Sequence, residues 1–175
     1  MMADEAVSDL WSSGGLAPDR PTAATAFDFI AGDWMVNHRK LKAHLAGSDE
    51  WMECDGETKG RILLGGFGNI DENLLHQPGG TYRAITLRLF DRSSSIWSIW
   101  WVTDLAGTLE APVLGGFDRG IGTFFGDEML DGRPIRVRFI WSDITDSSAR
   151  WEQAFSADGG ATWETNWIMI FRRRG

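Results

Sequence analysis

Few side chains in this sequence are equipped for chemistry, and they are widely spaced. Three histidines stand at positions 38, 44 and 76, with no His-x-x-x-His spacing and no carboxylate cluster beside them. A metal site needs His, Cys or carboxylate groups to converge, so none is expected. The lone Cys54 leaves no partner for an intramolecular disulfide or a multi-cysteine metal site. Gly-x-Ser-x-Gly, a Walker loop and a dinucleotide fingerprint are all missing, and Gly65-Gly66-Phe67-Gly68 and Gly115-Gly116 precede strand-like segments rather than helices. No cofactor is expected. What remains is a small set: His38 as an imidazole acid or base, Arg138 as a guanidinium able to grip a carboxylate or enolate oxygen, and Glu152 as a carboxylate. These are the catalytic candidates.

Aromatic residues supply the setting. Ten Trp and ten Phe stand against a single Tyr, more than packing alone requires of a chain of this size. Trp34, Trp100, Trp151 and Trp167 are candidates for the walls of an aromatic cavity, with His38, Arg138 and Gln153 as its orienting polar groups.

The elements that must hold these residues are strands. Helical periodicity ends after one short helix over Thr22–Ile30, whose Phe27 and Ile30 face inward. Strand-like runs follow: Trp34–Ala43, Glu50–Leu64, Asn69–Leu75, Thr81–Asp91, Ile96–Thr103, Val113–Phe117, Gly120–Glu128, Ile135–Ser142, Ala149–Ser156 and Thr162–Arg172. Short connections such as Gln77-Pro78-Gly79-Gly80 and Asp131-Gly132-Arg133-Pro134 favour sequential antiparallel pairing. Eight to ten such strands are best closed as an all-β, single antiparallel up-and-down barrel, because closure removes the sheet edges, and a sandwich is the other arrangement that these runs allow. Asn69-Ile70-Asp71-Glu72 reads as a polar strand edge placed either to rim the barrel mouth or, the favoured role, for turn chemistry.

In the final hairpin, a three-residue loop Asp158-Gly159-Gly160 sets Phe155 opposite Trp163, Gln153 opposite Thr165 and Trp151 opposite Trp167. Glu152 and Asn166 then share the polar face. Alternation in Ile135-Arg136-Val137-Arg138-Phe139 leaves two orientations for Arg138, inside the barrel or out.

At 175 residues and 19.5 kDa the chain reads as a loose leader, 1–20, with a helical turn around Glu5–Trp11, followed by one domain, 21–175. The net charge of −8 argues against nucleic acid or an anionic membrane as partner. No segment has the apolar core of a signal peptide or the ~18 apolar residues of a membrane span, and a cytoplasmic location is expected. Arg172-Arg173-Arg174 reads as a solvated tail or the end of the last strand. Ile96-Trp97-Ser98-Ile99-Trp100-Trp101-Val102 is apolar on both faces, so its outer side needs cover; the N-terminal segment folding across it or a homodimer would provide it, and a homodimer is expected.

Four resemblances bear on these readings. Ser156, Asp158, Gly160, Thr162 and Trp163 resemble the Asp-box of sialidases and related propellers. One copy in a chain too short for propeller blades implies a rigid hairpin, with Asp158 as a turn former. Gly32-Asp33-Trp34 after a short helix resembles the Gly-x-Trp signature of lipocalins and other calycins. With Phe27 to Trp34, Leu87 to Asp91, Trp97 to Trp100, Gly132 to Ile135, Val137 to Phe139 and the Trp151–Trp167 block, the chain resembles a bacterial domain-of-unknown-function family with a calycin-like barrel, over about residues 27–173. Haem barrels of the nitrobindin type share the Gly-x-Trp strand but ligate iron through a histidine near the C-terminal strands, and this chain has none after His76. The calycin resemblance implies a protein that holds a small apolar or aromatic molecule in its barrel. The alternative from another class is a cofactor-independent cyclase, isomerase, hydratase or decarboxylase using the same cavity. A third is a structural protein whose barrel is filled with side chains.

Overall fold

The computed structural model describes residues 16, 17 and 19–175, so the expected helical turn around Glu5–Trp11 and most of the 1–20 leader lie outside the described residues. Ten antiparallel strands follow one another around a closed barrel: β1 (Gly32–Leu41), β2 (Trp51–Leu63), β3 (Gly68–Gln77), β4 (Gly80–Asp91), β5 (Ile96–Thr103), β6 (Val113–Asp118), β7 (Ile121–Leu130), β8 (Arg133–Ser142), β9 (Ser148–Ser156) and β10 (Glu164–Arg173), with β10 pairing β1 to close the ring. The all-β, up-and-down architecture is the one the spacing of the strand runs predicts.

Alternation decides which residues meet inside, because successive side chains on a strand point to opposite faces. The register pairs Trp34 with Thr58 and Phe171 with Val36 on the inner face, and Val137 with Phe155 and Phe124 with Phe139 across the later strands. The single helix expected over Thr22–Ile30 divides into a four-residue α1 (Thr22–Thr25) after Pro21 and a 3-10 turn over Asp28–Ile30. Together these cap one end of the barrel. Phe27, 1% exposed, makes edge contacts with Trp97, Phe117 and Trp141 at centroid distances of 5.0, 4.9 and 6.0 Å. Gly60 lets the cap come this close, since a Cβ there would strike the Ile30 carbonyl.

Arg173 locks the cap in place. Its guanidinium donates to the carbonyls of Ala31, Phe29 and Asp146 at 2.7, 2.8 and 2.6 Å, and it lies 4.2 Å over the Trp34 ring. The terminal basic run therefore belongs, at Arg173, to the end of β10.

The final hairpin departs from the expected register. β9 and β10 are joined by a seven-residue connection, 157–163, rather than by three residues, and Glu164 pairs with Phe155 and Thr165 with Ala154. A bulge between Thr165 and Trp167 then shifts the ladder again, so Trp167 faces Gln153 and Met169 faces Trp151. The cause lies in the Asp-box residues. Asp158 accepts hydrogen bonds from the Thr162 amide at 2.9 Å, the Thr162 hydroxyl at 2.6 Å and the Ser156 hydroxyl at 2.7 Å, while the Gly160 amide donates to Ser156 Oγ at 2.8 Å. These bonds close the loop on itself and hold the Asp158 carboxyl well below its ordinary pKa. The loop folds outward, and Trp163 lies against the outer wall of β8 instead of facing Phe155 inside.

Candidate functional site

The end opposite the cap carries the long connections 42–50 and 104–112, and it is here that the interior opens. A cavity of about 290 Å³ lies among Trp101, Trp151, Trp167, Phe139, Phe155 and Met169, with Thr86, Arg88 and Trp141 beneath and Glu110 and Glu128 at the rim. Trp167 stands edge-on to both Trp101 and Trp151, at 5.4 and 5.3 Å. The three indoles meet because the bulge in β10 turns Trp167 inward and the register of β5 against β4 sets Trp101 opposite Thr86.

A second recess, of about 450 Å³, lies beside the first. It is lined by Lys40, Leu41, Met52, His44 and Asn166, and it shares Gln153 and Trp167 with the aromatic chamber. Gln153 donates to Asn166 Oδ1 at 2.9 Å, at the junction of the two. The Lys40 ammonium lies 3.6 Å over the Trp167 ring and donates to the Tyr82 hydroxyl at 2.6 Å. Burial lowers its pKa to about 8 and raises that of the Tyr82 phenol to about 12.

Below this level the barrel centre is polar. Arg88 and Asp71, both almost fully buried, meet at 2.6 Å, and Arg88 also donates to Asn69 Oδ1 at 2.9 Å. Asn73 bridges Asp71, Thr58 and Thr86. The Asn69–Glu72 segment is thus not a turn-like rim. Its alternate residues Asn69 and Asp71 form the inward face of β3, where a charge survives burial because it is paired and hydrogen-bonded.

His38 is inside, 1% exposed, and accepts a hydrogen bond at Nδ1 from Trp167 Nε1 at 3.3 Å. That bond leaves the proton on Nε2, and burial, with Lys40 adding repulsion, lowers the imidazole pKa to about 3. Gly56, on β2 opposite Val36, makes the space, since a Cβ there would sit 2.6 Å from His38 Nε2. His38 therefore braces Trp167 from behind as a neutral ring.

The remaining candidates separate. Trp151, Gln153 and Trp167 line the chamber. Trp34 lies at the capped end, its Nε1 donating to the Ile30 carbonyl at 3.0 Å. Trp100 pairs with Leu87 on the outer face of β5, and its neighbour Trp101 takes the inward position. Arg138 is also outside: it pairs with Phe125 and Ala154, and its guanidinium stacks 4.6 Å over Trp163. Glu152 lies outside too, in an ion pair with Arg150 at 2.8 Å. His38, Arg138 and Glu152 do not converge on one point, and no group of three or more potential metal ligands occurs among the described residues.

Sequence reasoning missed Trp101, Lys40, Tyr82, Arg88 and the rim acids. Lys40 had a legible signal, since it shares strand parity with Trp34, Val36 and His38. The Glu128 carboxyl pKa is raised from its ordinary value by partial burial at the rim and by the neighbouring Glu110, although the residue keeps an exposed side. Both face the aromatic chamber from its rim.

No family model matches this chain, and no curated protein does. Among solved structures it is similar to one described as "Structure of EF1p2_mFAP2b bound to DFHBI", at 8% identity and a TM-score of 0.49, over 87% of this chain and 100% of that one.

Proposed function

We propose that this barrel binds a small, largely apolar or aromatic organic molecule in the chamber walled by Trp101, Trp151 and Trp167. The observation that carries this reading is the asymmetry of the interior. One end is packed solid with aromatic rings, whereas the other leaves about 290 Å³ between rings that have room for a flat guest. That volume is at the lower edge of the ~300–1,000 Å³ typical of small-molecule sites, which favours a compact ring system over a long acyl chain. Gln153 is the polar group at the chamber's side, and His38 acts through Trp167 by fixing its orientation. The placement of Trp34 directly above the cap, bonded to Ile30, supports the calycin-like reading of Gly32-Asp33-Trp34.

The test is a titration of intrinsic Trp fluorescence with a panel of compact aromatic compounds, run beside Thr103→Phe, which fills the mouth from β5. A saturable change in the natural protein that disappears in the variant, with circular dichroism unchanged, is the expected outcome. Absence of saturable binding across the panel would leave a barrel with no guest and overturn the reading.

A further inference from the structure

Of the chain's three lysines, two have ordinary surface positions. Lys42 is exposed and paired with Glu50 at 3.1 Å, and Lys59 lies on the outer face of β2. Lys40 alone points into the barrel, where its amine meets an indole face and a phenol at the edge of an open recess. Asn166, 0% exposed, lines the same recess with an Nδ2 that has no acceptor among the described residues. An ammonium in this position gives up most of its water, and the pKa of about 8 follows from that burial. A sizeable fraction of the amine is then neutral and nucleophilic near neutral pH.

We infer that Lys40 is a carbonyl-capturing amine, which forms an imine with an aldehyde or ketone guest seated in the recess between Met52, Asn166 and Trp167. The inference rests on the small-molecule reading above and names the reactive group of the guest. The Nζ lone pair adds to the carbonyl carbon, forming the C–N bond as the C=O π pair moves onto oxygen. Tyr82 donates its hydroxyl proton to that oxygen and recovers one from the attached nitrogen, giving a neutral carbinolamine. Tyr82 then protonates the hydroxyl, which leaves as water while the nitrogen pair closes the C=N bond. The proton remaining on that nitrogen returns to the Tyr82 oxygen to give the neutral imine. Nothing is oxidised or reduced, and one water leaves for each imine formed. The Asn166 amide is the donor placed to steady the carbonyl oxygen, and Trp167 supplies a flat wall for a conjugated guest.

The experiment traps the imine. The full-length protein is incubated with cinnamaldehyde and sodium cyanoborohydride, digested and mapped by mass spectrometry, with the α-amino group, Lys42 and Lys59 as internal references. Lys40 should carry at least about tenfold more reduced adduct than Lys42 or Lys59, given a pKa more than two units below that of an ordinary lysine. Labelling spread evenly over the three lysines, or confined to the α-amino group, would overturn the assignment. Tyr82→Phe should slow adduct formation severalfold at unchanged final yield, and an unaltered rate would remove Tyr82 from the step. Lys40→Met should lose the adduct, whereas the natural protein should give saturable fluorescence changes with aromatic guests that have no carbonyl. Failure of capture with those changes intact overturns the imine alone. Loss of both in the natural protein overturns the binding reading as well.

Discussion

The two ends of this barrel are built from the same residue types and do opposite things. At the capped end, Phe27 is ringed by Trp97, Phe117, Phe124 and Trp141, and Arg173 ties the cap to the last strand. At the open end, Trp167 meets Trp101 and Trp151 edge-on, and the three indoles border open space. The difference is what fills the centre of each cluster. Among the described residues, the chain places one of its own rings, Phe27, at the centre of the capped end and none at the centre of the other. An aromatic residue is thus core or wall according to whether the fold delivers a further ring to meet it, and composition alone does not distinguish the two.

The sharpest way to break this comparison is to remove the central ring where there is one. Phe27→Ala should lower stability by about 3–5 kcal/mol, the usual cost of emptying a fully packed aromatic site, as read from urea unfolding. Trp101→Ala borders a space that already exists, so it should cost less than about 2 kcal/mol while abolishing the fluorescence response to aromatic guests. Equal losses from the two substitutions would mean that the open end is packed core and the chamber is not a site.

The open end should also carry a distinct pH signature. His38 has a folded pKa of about 3 against an ordinary value near 6.5, so between those values the unfolded chain binds the extra proton. Stability contributed by keeping this ring neutral is full above pH 6.5 and declines as pH falls toward 3, by at most about 1.4 kcal/mol per unit. His38→Gln should flatten the acid limb of the urea midpoint between pH 6.5 and 4 relative to the natural protein. Lys40 acts in the opposite range: its folded pKa of about 8 is also depressed, so its charged form weighs on the fold at neutral pH and the weight lifts as pH rises from 8 toward 10.5. An acid limb that is unchanged by His38→Gln would show that the ring is solvated, and that Trp167 has no brace.

These two ends also mark how far the sequence could be read. Strand count, antiparallel order and closure were legible, because turn residues and short connections leave few other topologies. The inward position of His38 was legible from its parity with Trp34 and Val36, and Lys40 stood in the same row. The face of Trp100 was not, because Ile96 to Val102 is apolar at every position but Ser98, and either parity could be buried. The hairpin register failed for a different reason. Asp158-Gly159-Gly160 satisfies the local rules for a tight turn, yet the side chains of Ser156, Asp158 and Thr162 bond to one another and stretch the loop to seven residues. Arg88 and Asp71 were hidden because each sits in an ordinary alternating strand, and only the pairing of β3 with β4 brings them together.

The smallest expected effect tests the boundary between inside and outside. Arg138 and Glu152 were catalytic candidates by residue type, and both lie on the outer wall, one stacked on Trp163 and the other paired with Arg150. Arg138→Met keeps the apolar stem against the indole and deletes the charge, so it should cost about 0.5–1 kcal/mol, the scale of a partly exposed cation–π contact. Glu152→Gln removes one partly exposed ion pair, worth ~0–1 kcal/mol. Neither should alter the affinity of an aromatic guest or the capture of cinnamaldehyde by Lys40, because a sheet one residue thick separates them from the chamber. Tighter or weaker binding in Arg138→Met, measured by the same fluorescence titration, would mean that the outer stack positions the β9–β10 hairpin and, through its bulge, Trp167. In that case the Asp-box loop would be part of the site's scaffold rather than a closure at its edge.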